Sequence, residues 1–371
     1  MQQHNSKRSI YILKKLWIQN ITFTENYDMY GIHIKISNNN IIESNTIYNR
    51  SCGICLDAIF PGSSKNNTIS QNILLNNYIG IDFLWSDYNT ITNNIISLNR
   101  DYAIKLHNSF YNNITQNILL TNSAGIFIEG LSNENTITNN IIALNKDGIS
   151  LLDSYRNVIY HNNIKNNKNQ ANDNKPAKNY WYHPKLLEGN YWSDYTGSDD
   201  GSGIVKHDFS GDHIGDTLIP HPSVFYDGYP YVYETGWKRP SIVIHQNNKT
   251  YSDGDTMIVS LNLINPDGAM AFAIGIWVDL PSGSKYFVYE NSSTTLPAGF
   301  DYRNPTWLTI TLPSIPPGNY AWHAILIDEA NSEIVSESIE PWLFSGAVDG
   351  ISESEFEKVL QEVSEEIDFF K

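Results

Sequence analysis

Between Asn89 and Asn157 the chain repeats itself: Asn89, Asn112, Asn135 and Asn157 open successive copies of one pattern at spacings of 23, 23 and 22 residues. A fixed period of this size means stacked supersecondary units sharing a core, and it constrains the fold more than any local propensity. Each copy runs N-x-I-x-x-N, then I-x-x-x-N, then G-I-x-L or a variant of it. Short runs that alternate apolar and polar residues are strands. Each run ends at Asn or Gly, which tolerate the left-handed backbone of a sharp corner. Three short strands and three corners in about 22 residues make one coil of a parallel β-helix.

The same pattern opens at Asn20, Asn40 and Asn67, so residues 1–167 form about six to seven coils. Three inward ladders are expected: Ile69, Ile91, Ile114, Ile137 and Ile159; Ile73, Ile95, Ile118, Ile141 and Ile164; and Ile54, Ile81, Ile104, Ile126 and Ile149. Asn72, Asn94, Asn117 and Asn140 recur at one corner, where stacked amides can bond from coil to coil. They are given a structural role and no chemistry.

The pattern fails after Asn166, and Pro176, Pro184 and Gly189 follow. An open solenoid end exposes apolar core and unpaired backbone, so residues 168–240, rich in aromatics, are expected to cap it through Trp181, Trp192 and neighbouring tyrosines. Residues 241–345 carry about seven alternating strands between Asp-Gly, Asn-Pro and Pro-Pro-Gly turns, which indicates an immunoglobulin-like β-sandwich lacking a disulfide. Val243, Trp277, Leu308 and Trp322 are its expected core. In residues 346–371, Ser352 with Glu355 forms a capping box, and Phe356, Leu360, Val363 and Ile367 fall at helical spacing. This acidic tail is expected to be a solvated helix, loosely docked or held by a partner. The expected fold class is therefore all-β: a parallel β-helix, a capping segment, an Ig-like sandwich and a short C-terminal helix.

The net charge is −16, unevenly placed: residues 1–167 hold 12 Lys/Arg and 11 Asp/Glu, so the acidity lies beyond them. Without a clustered basic stripe, nucleic acid is excluded as a partner. A polyanionic polysaccharide would be repelled unless a cation or a local lysine intervened. Cys52 and Cys55 form a C-x-x-C. Since Gly53-Ile54 is the G-I of the repeat, Cys55 reads as an outward strand residue and Cys52 as a corner, and no second pair completes a zinc site. No run of 18 apolar residues provides a membrane span. The first 19 residues do not read as a secretory signal, because Lys14-Lys15 splits the apolar stretch. N-x-S/T sequons, among them Asn20, Asn66, Asn113, Asn248 and Asn291, and the repeat type point to an extracellular or cell-surface protein. Leading coils or a signal are expected ahead of the recorded start.

The repeats are closed by GNYWSDYTG, from Gly189 to Gly197, and then by G-D-x-I-G-D-T, from Gly211 to Thr217. With these motifs, residues 20–233 resemble the NosD-like right-handed β-helix proteins. The resemblance implies a right-handed coil and a domain of the carbohydrate-binding and sugar-hydrolase type, often on exported proteins. The family's namesake is linked to copper-site maturation in nitrous oxide reductase. Copper handling favours Cys, Met and His, and this chain has 2 Cys and 4 Met, so metal delivery ranks third among the functions considered.

Two constellations could carry chemistry. Asp208, Ser210, Asp212, the Ile214 carbonyl and Asp216 place oxygens at alternate positions, as calcium loops do. Ser210 stands where an Asp is expected, His213 where the turn glycine is expected, and Ile219 where the last acidic ligand is expected. Asp199 and Asp200 could add ligands. The second constellation lies on the outward positions of the G-I-x-L strands. There Asp82 should neighbour Lys105, and His107 should neighbour Glu129, on coils about 4.8 Å apart. Polysaccharide lyases, epimerases and hydrolases use such an acid, base and lysine. A solvated face with ion pairs between coils accounts for the same residues. Trp85, Tyr88 and Phe110 could stack sugars. The function expected first is therefore an exported, non-catalytic protein that binds glycan or builds an envelope layer, with envelope proteins as further contacts. An enzyme acting through Lys105, His107, Glu129 and Asp82 comes second.

Overall fold

The computed structural model describes residues 10–12, 17–23, 29–58, 62–175, 178–202, 209–217, 220, 227–346 and 350–364. Asp208, Ile219 and Ile367 fall outside them. The described residues group into two compact units, residues 1–196 with 219–235, and residues 197–218 with 236–371. The segment 168–240 is thus shared between the two units.

The first unit is a parallel β-solenoid with three faces. The front face has eight strands, from Ile10–Ile12 and Tyr30–Lys35 through Cys52–Asp57, Ile79–Leu84, Tyr102–His107, Ala124–Glu129 and Asp147–Leu151 to Asn169–Asp173. The second face has seven strands, ending at Val158–Tyr160, and the third has eight, ending at Tyr191–Trp192. Every pairing between these strands is parallel and joins a coil to the next one along the axis.

The Asn motif explains the coil. In Asn89–Asn94 the strand Thr90–Thr92 buries only its central Ile91, Asn93 turns with φ 55°, and Asn94 points inward with no exposure. Asn94 donates its backbone and side-chain N–H groups to Asn117 Oδ1 at 3.0 and 2.9 Å, and Asn117 does the same to Asn140. The same Asn94 amide also caps Ile69 O on the previous coil at 2.9 Å. Corner backbone groups that would be orphaned in the interior are satisfied in this way. Two further ladders run through Asn67–Asn89–Asn112–Asn135–Asn157 and Asn77–Asn99–Asn122–Asn145–Asn167, so each corner of the coil has its own.

The first and third apolar ladders lie in register and are buried throughout. The second is displaced by one residue in all its members but Ile164, which points inward as expected. Ile73 and Ile95 are 37% and 41% exposed, and Ile118 and Ile141 are half-buried, whereas Leu74, Ile96, Leu119, Ile142 and Ile164 are sealed inside. The reason is alternation: Asn94 already points inward, so Ile95 must point out and Ile96 in. The Gly before the third ladder is needed for close approach. A Cβ at Gly80 would meet Ala103 O and Ile96 Cγ2, both at 2.5 Å.

Trp181 and Trp192, fully buried, close the end of this apolar core. In the second unit, a three-stranded sheet (Ser241–Gln246, Thr256–Asn265, Phe300–Thr311) and a five-stranded sheet share one core. The five-stranded sheet contains Thr250–Tyr251, Met270–Asp279, Lys285–Leu296, Gly318–Asp328 and Glu333–Phe344. Leu308 and Trp322 belong to that core, while Val243 and Trp277 are buried outside it. The helix Glu353–Ser364 starts with the capping box, the Ser352 backbone N–H donating to Glu355 Oε2 at 2.9 Å and the Glu355 N–H to Ser352 Oγ at 3.3 Å. It is not the loosely docked, solvated tail expected: Phe356 and Leu360 are sunk into the core.

Candidate functional site

Three rows of outward side chains run along the front face, and strand register fixes them. One row is His33, Cys55, Asp82, Lys105, Phe127, Ser150 and Asn172; a second is Lys35, Asp57, Leu84, His107 and Glu129. Asp82 therefore stands beside Lys105, and His107 beside Glu129. Glu129 Oε1 lies 2.9 Å from Lys105 Nζ and 3.1 Å from His107 Nδ1. All four expected residues lie in one patch.

Their electrostatics follow from that packing. Burial pushes the Asp82 carboxyl above the usual range, and attraction to Lys105 and His107 only partly offsets it. Burial alone would lower the Lys105 ammonium, but its bond to Glu129 and the charges of Glu129 and Asp82 hold it above its ordinary value. Burial likewise works against Glu129, yet the bonds from Lys105 and His107 keep its carboxylate below the usual range. The patch thus holds one carboxyl biased towards protonation and one biased towards ionisation.

The sequence reading missed several neighbours. Buried His33 lies 2.7 Å through Nε2 from Asp57 Oδ2. Cys55 keeps its outward register, but Cys52, read as a corner, begins the strand, and a disulfide joins the two and leaves both buried. In a third outward row, the Tyr102 ring stacks on Phe127 at 4.7 Å and 16°, with Lys105 Nζ over Tyr102 at 5.4 Å. These two aromatics flank a groove of about 320 Å³ whose wall includes Asp101, Lys146, Asp147, Ser150 and Asn172. The expected stacking residues lie elsewhere: Tyr88 pairs with Tyr111 at 4.8 Å on an adjoining corner, with Lys65 above it.

In the second unit, the described members of the expected cation loop accept backbone N–H groups. Ser210 Oγ accepts the Ile339 N–H at 2.9 Å, Asp212 Oδ1 accepts the Ile214 N–H at 2.9 Å, and Asp216 Oδ2 accepts the N–H groups of Asp200 and Gly201. Asp199 takes the Gly211 and His213 N–H groups, both at 2.7 Å. Burial raises its pKa to about 7. Among the described residues, no group of three or more His, Cys, Asp or Glu side chains is arranged to hold a metal, and no helix is long and apolar enough to cross a membrane.

Two family models match the chain: "Periplasmic copper-binding protein (NosD)" over residues 57–197 and "Right handed beta helix region" over residues 3–84. No curated protein matches the sequence. Among solved structures, the enzymatically active domain of bacteriophage CBA120 tailspike protein 2 is 10% identical with a TM-score of 0.34. The match covers 87% of this chain and 57% of that one. Spo0M, a sporulation control protein from Bacillus subtilis, is 14% identical with a TM-score of 0.19, over 29% of this chain and 49% of that one. Similarity this low carries no argument about function. The GNYWSDYTG motif lies at the end of the NosD match and supplies the last strand of the third face, Tyr191–Trp192. Across residues 3–197, this chain belongs to the NosD-like right-handed β-helix family.

Proposed function

We propose that the front face of the solenoid binds an extended glycan and that the protein acts outside the cytoplasm. The observation that carries this reading is the Tyr102–Phe127 stack beside a groove with a polar wall. Flat aromatic faces cover the apolar faces of sugar rings, while convergent hydroxyl, amide and carboxyl groups fix their orientation. A continuous sheet face that repeats every coil suits a polymer. The Cys52–Cys55 disulfide fits an oxidising compartment, and the family description is periplasmic. The test is a glycan array followed by calorimetry with Tyr102→Ala and Phe127→Ala. Loss of about tenfold in affinity for each, or about 1.4 kcal/mol, is expected. Wild-type protein that binds no glycan, or variants that bind as well as wild type, would overturn the proposal.

A second reading is glycan cleavage in the same patch, favoured by the opposed proton affinities of Asp82 and Glu129. Pairs of carboxyls pushed apart in this way divide the acid and base roles in glycoside hydrolysis. Lys105 is less suited to act as the base of a lyase, because Glu129 holds it protonated. Reducing-end assays on a polysaccharide panel, with Asp82→Asn and Glu129→Gln, separate a binder from an enzyme. Copper delivery is not the reading adopted: both cysteines are tied up in the disulfide rather than presented as thiolates.

A further inference from the structure

We propose that the second face of the solenoid adsorbs to ice, through a flat lattice of hydroxyl and methyl groups separate from the front-face patch. Four consecutive strands of that face are Thr68–Ser70, Thr90–Thr92, Asn113–Thr115 and Thr136–Thr138. Each buries its central isoleucine and turns its first and third residues outward. Six of these eight outward residues are threonines, and Ser70 and Asn113 complete the set. None of the eight carries a charge, in a chain of net charge −16.

The array is two columns wide and four coils long, and the backbone sets its regularity. Thr68 pairs with Thr90, Thr90 with Asn113 and Asn113 with Thr136, and no register shift interrupts the three pairings. Short side chains on strands without a bulge make a flat face. Glu43 stands in the coil before the array and Tyr160 in the coil after it, so larger residues bound it at both ends. Thr138, beside Tyr160, is the most covered member at 8% exposed, whereas Asn113 is exposed and the others are half-buried.

Spacing selects the ligand. Along the axis the side chains recur about every 4.8 Å, and the two columns lie about 6.7 Å apart along each strand. Water linked tetrahedrally through hydrogen bonds of about 2.75 Å repeats about every 4.5 Å within a layer and about every 7.3 Å across layers. The axial mismatch of about 0.3 Å per coil accumulates to about 0.9 Å over three steps, less than half of one repeat. Four coils therefore stay in step with one ice surface. The mismatch of about 0.6 Å between columns arises once and does not accumulate, because there are only two.

The chemistry agrees with the spacing. A threonine hydroxyl both donates and accepts, so it can stand in for a lattice water. Its methyl group leaves the neighbouring waters bonded to one another. Branching at Cβ restricts χ1, and corner amides steady two of the hydroxyls: Asn93 Nδ2 donates to Thr92 Oγ1 and Asn139 Nδ2 to Thr138 Oγ1, both at 3.2 Å. Side chains already fixed in place lose little freedom on binding. Each contact is weak, but a rigid face engages all of them together.

The test is ice-crystal habit and freezing hysteresis in a nanolitre osmometer, with partition into slowly grown ice as an independent readout. It would use the full chain as wild type, Asn113→Lys, Thr92→Lys and, at an exposed corner of the third face, Leu98→Lys, with circular-dichroism melts as the folding control. Wild type and Leu98→Lys are expected to facet the crystals, open a freezing gap and enter the ice. Asn113→Lys and Thr92→Lys are expected to lose all three, since a strongly hydrated ammonium lifts the face off the lattice. Asn113 is exposed, so its variant stays informative if Thr92→Lys fails to fold. Round crystals and exclusion of wild type from ice would overturn the proposal, as would faceting that survives in folded Asn113→Lys. Binding of wild type to cellulose powder but not to ice would also overturn it, by assigning the hydroxyl face to a sugar surface. Tyr102 and Phe127 lie on the front face, so failure here leaves the reading of that face untouched.

Discussion

Asp227 accepts the indole N–H of Trp192 at 2.8 Å, and both residues are fully buried. The same carboxyl takes the Asn190 backbone N–H at 2.9 Å and the Tyr229 N–H at 3.2 Å. This relationship explains why Gly, Asn and Trp occur together where the repeats end. Asn190 ends the Asn94–Asn117–Asn140 amide ladder by receiving Asn162, Trp192 seals the core, and a Cβ at Gly189 would collide with Asp227 Oδ1. Asp227→Ala leaves several buried donors without a partner, at about 1–3 kcal/mol each. A loss of about 3–5 kcal/mol in the first unit is expected, read by urea unfolding with tryptophan fluorescence.

The same residue gives a pH dependence. Burial raises the Asp227 pKa from 3.8 to about 7 in the folded protein. The folded state therefore binds this proton more tightly than the unfolded chain does. Its contribution is complete below about pH 4 and is lost as pH rises through about 7. Urea midpoints for wild type should fall from pH 5 to pH 8, and Asp227→Asn should flatten that slope. An identical slope in both proteins would contradict this origin.

Register on the third face can be tested one residue apart. Leu119 is sealed and the adjacent Ile118 is half-buried on the outer side. Leu119→Ala should cost about 2–5 kcal/mol and Ile118→Ala less than about 1.5 kcal/mol. Equal effects in chemical denaturation would place both side chains in the core.

Asn117 sits mid-ladder, receiving Asn94 and donating to Ile91 O, Thr115 O and Asn140 Oδ1. Asn117→Leu keeps the volume but strands these groups, so a loss of about 2–4 kcal/mol is expected. Hydrogen exchange should localise the opening to the amides of Asn94 and of the coil that follows.

The C-terminal helix is held by its apolar face. Phe356 is 1% exposed and meets the Tyr320 ring edge-on at 5.9 Å. Phe356→Ala should cost about 3–5 kcal/mol and raise protease sensitivity within Glu353–Ser364, whereas substituting exposed Glu362 should leave both unchanged.

The solenoid was legible because its period lies in the sequence itself, and the pairing of Asp82 with Lys105 and of His107 with Glu129 followed from counting along that period. What was hidden depended on direction or partnership. The doublets Ile95-Ile96 and Ile118-Leu119 offer two apolar candidates for one inward position, and only the inward Asn before each doublet settles the choice. His33 and Asp57 lie one coil apart but on different outward rows, and Tyr102 lies on a row set by an extra residue between outward positions, so neither stood out. The Ser210, Asp212 and Asp216 spacing offers oxygens at alternate positions but does not reveal that they accept backbone N–H groups from Ile339, from Ile214 and from Asp200 and Gly201. The tail helix looked solvated because its charge is conspicuous, although two apolar residues a turn apart suffice to anchor it.

Because the rows of the front face are locked by strand register, spacing along the axis comes only in whole coils. Asp82 and Glu129 are two coils apart, and no point substitution can change that interval. Lengthening or shortening it requires inserting or deleting one 22- or 23-residue unit, with its three amides and three corners intact. Such an edit would behave as a ruler change: side-chain chemistry would stay constant while the reach between groups moved by one step of about 4.8 Å.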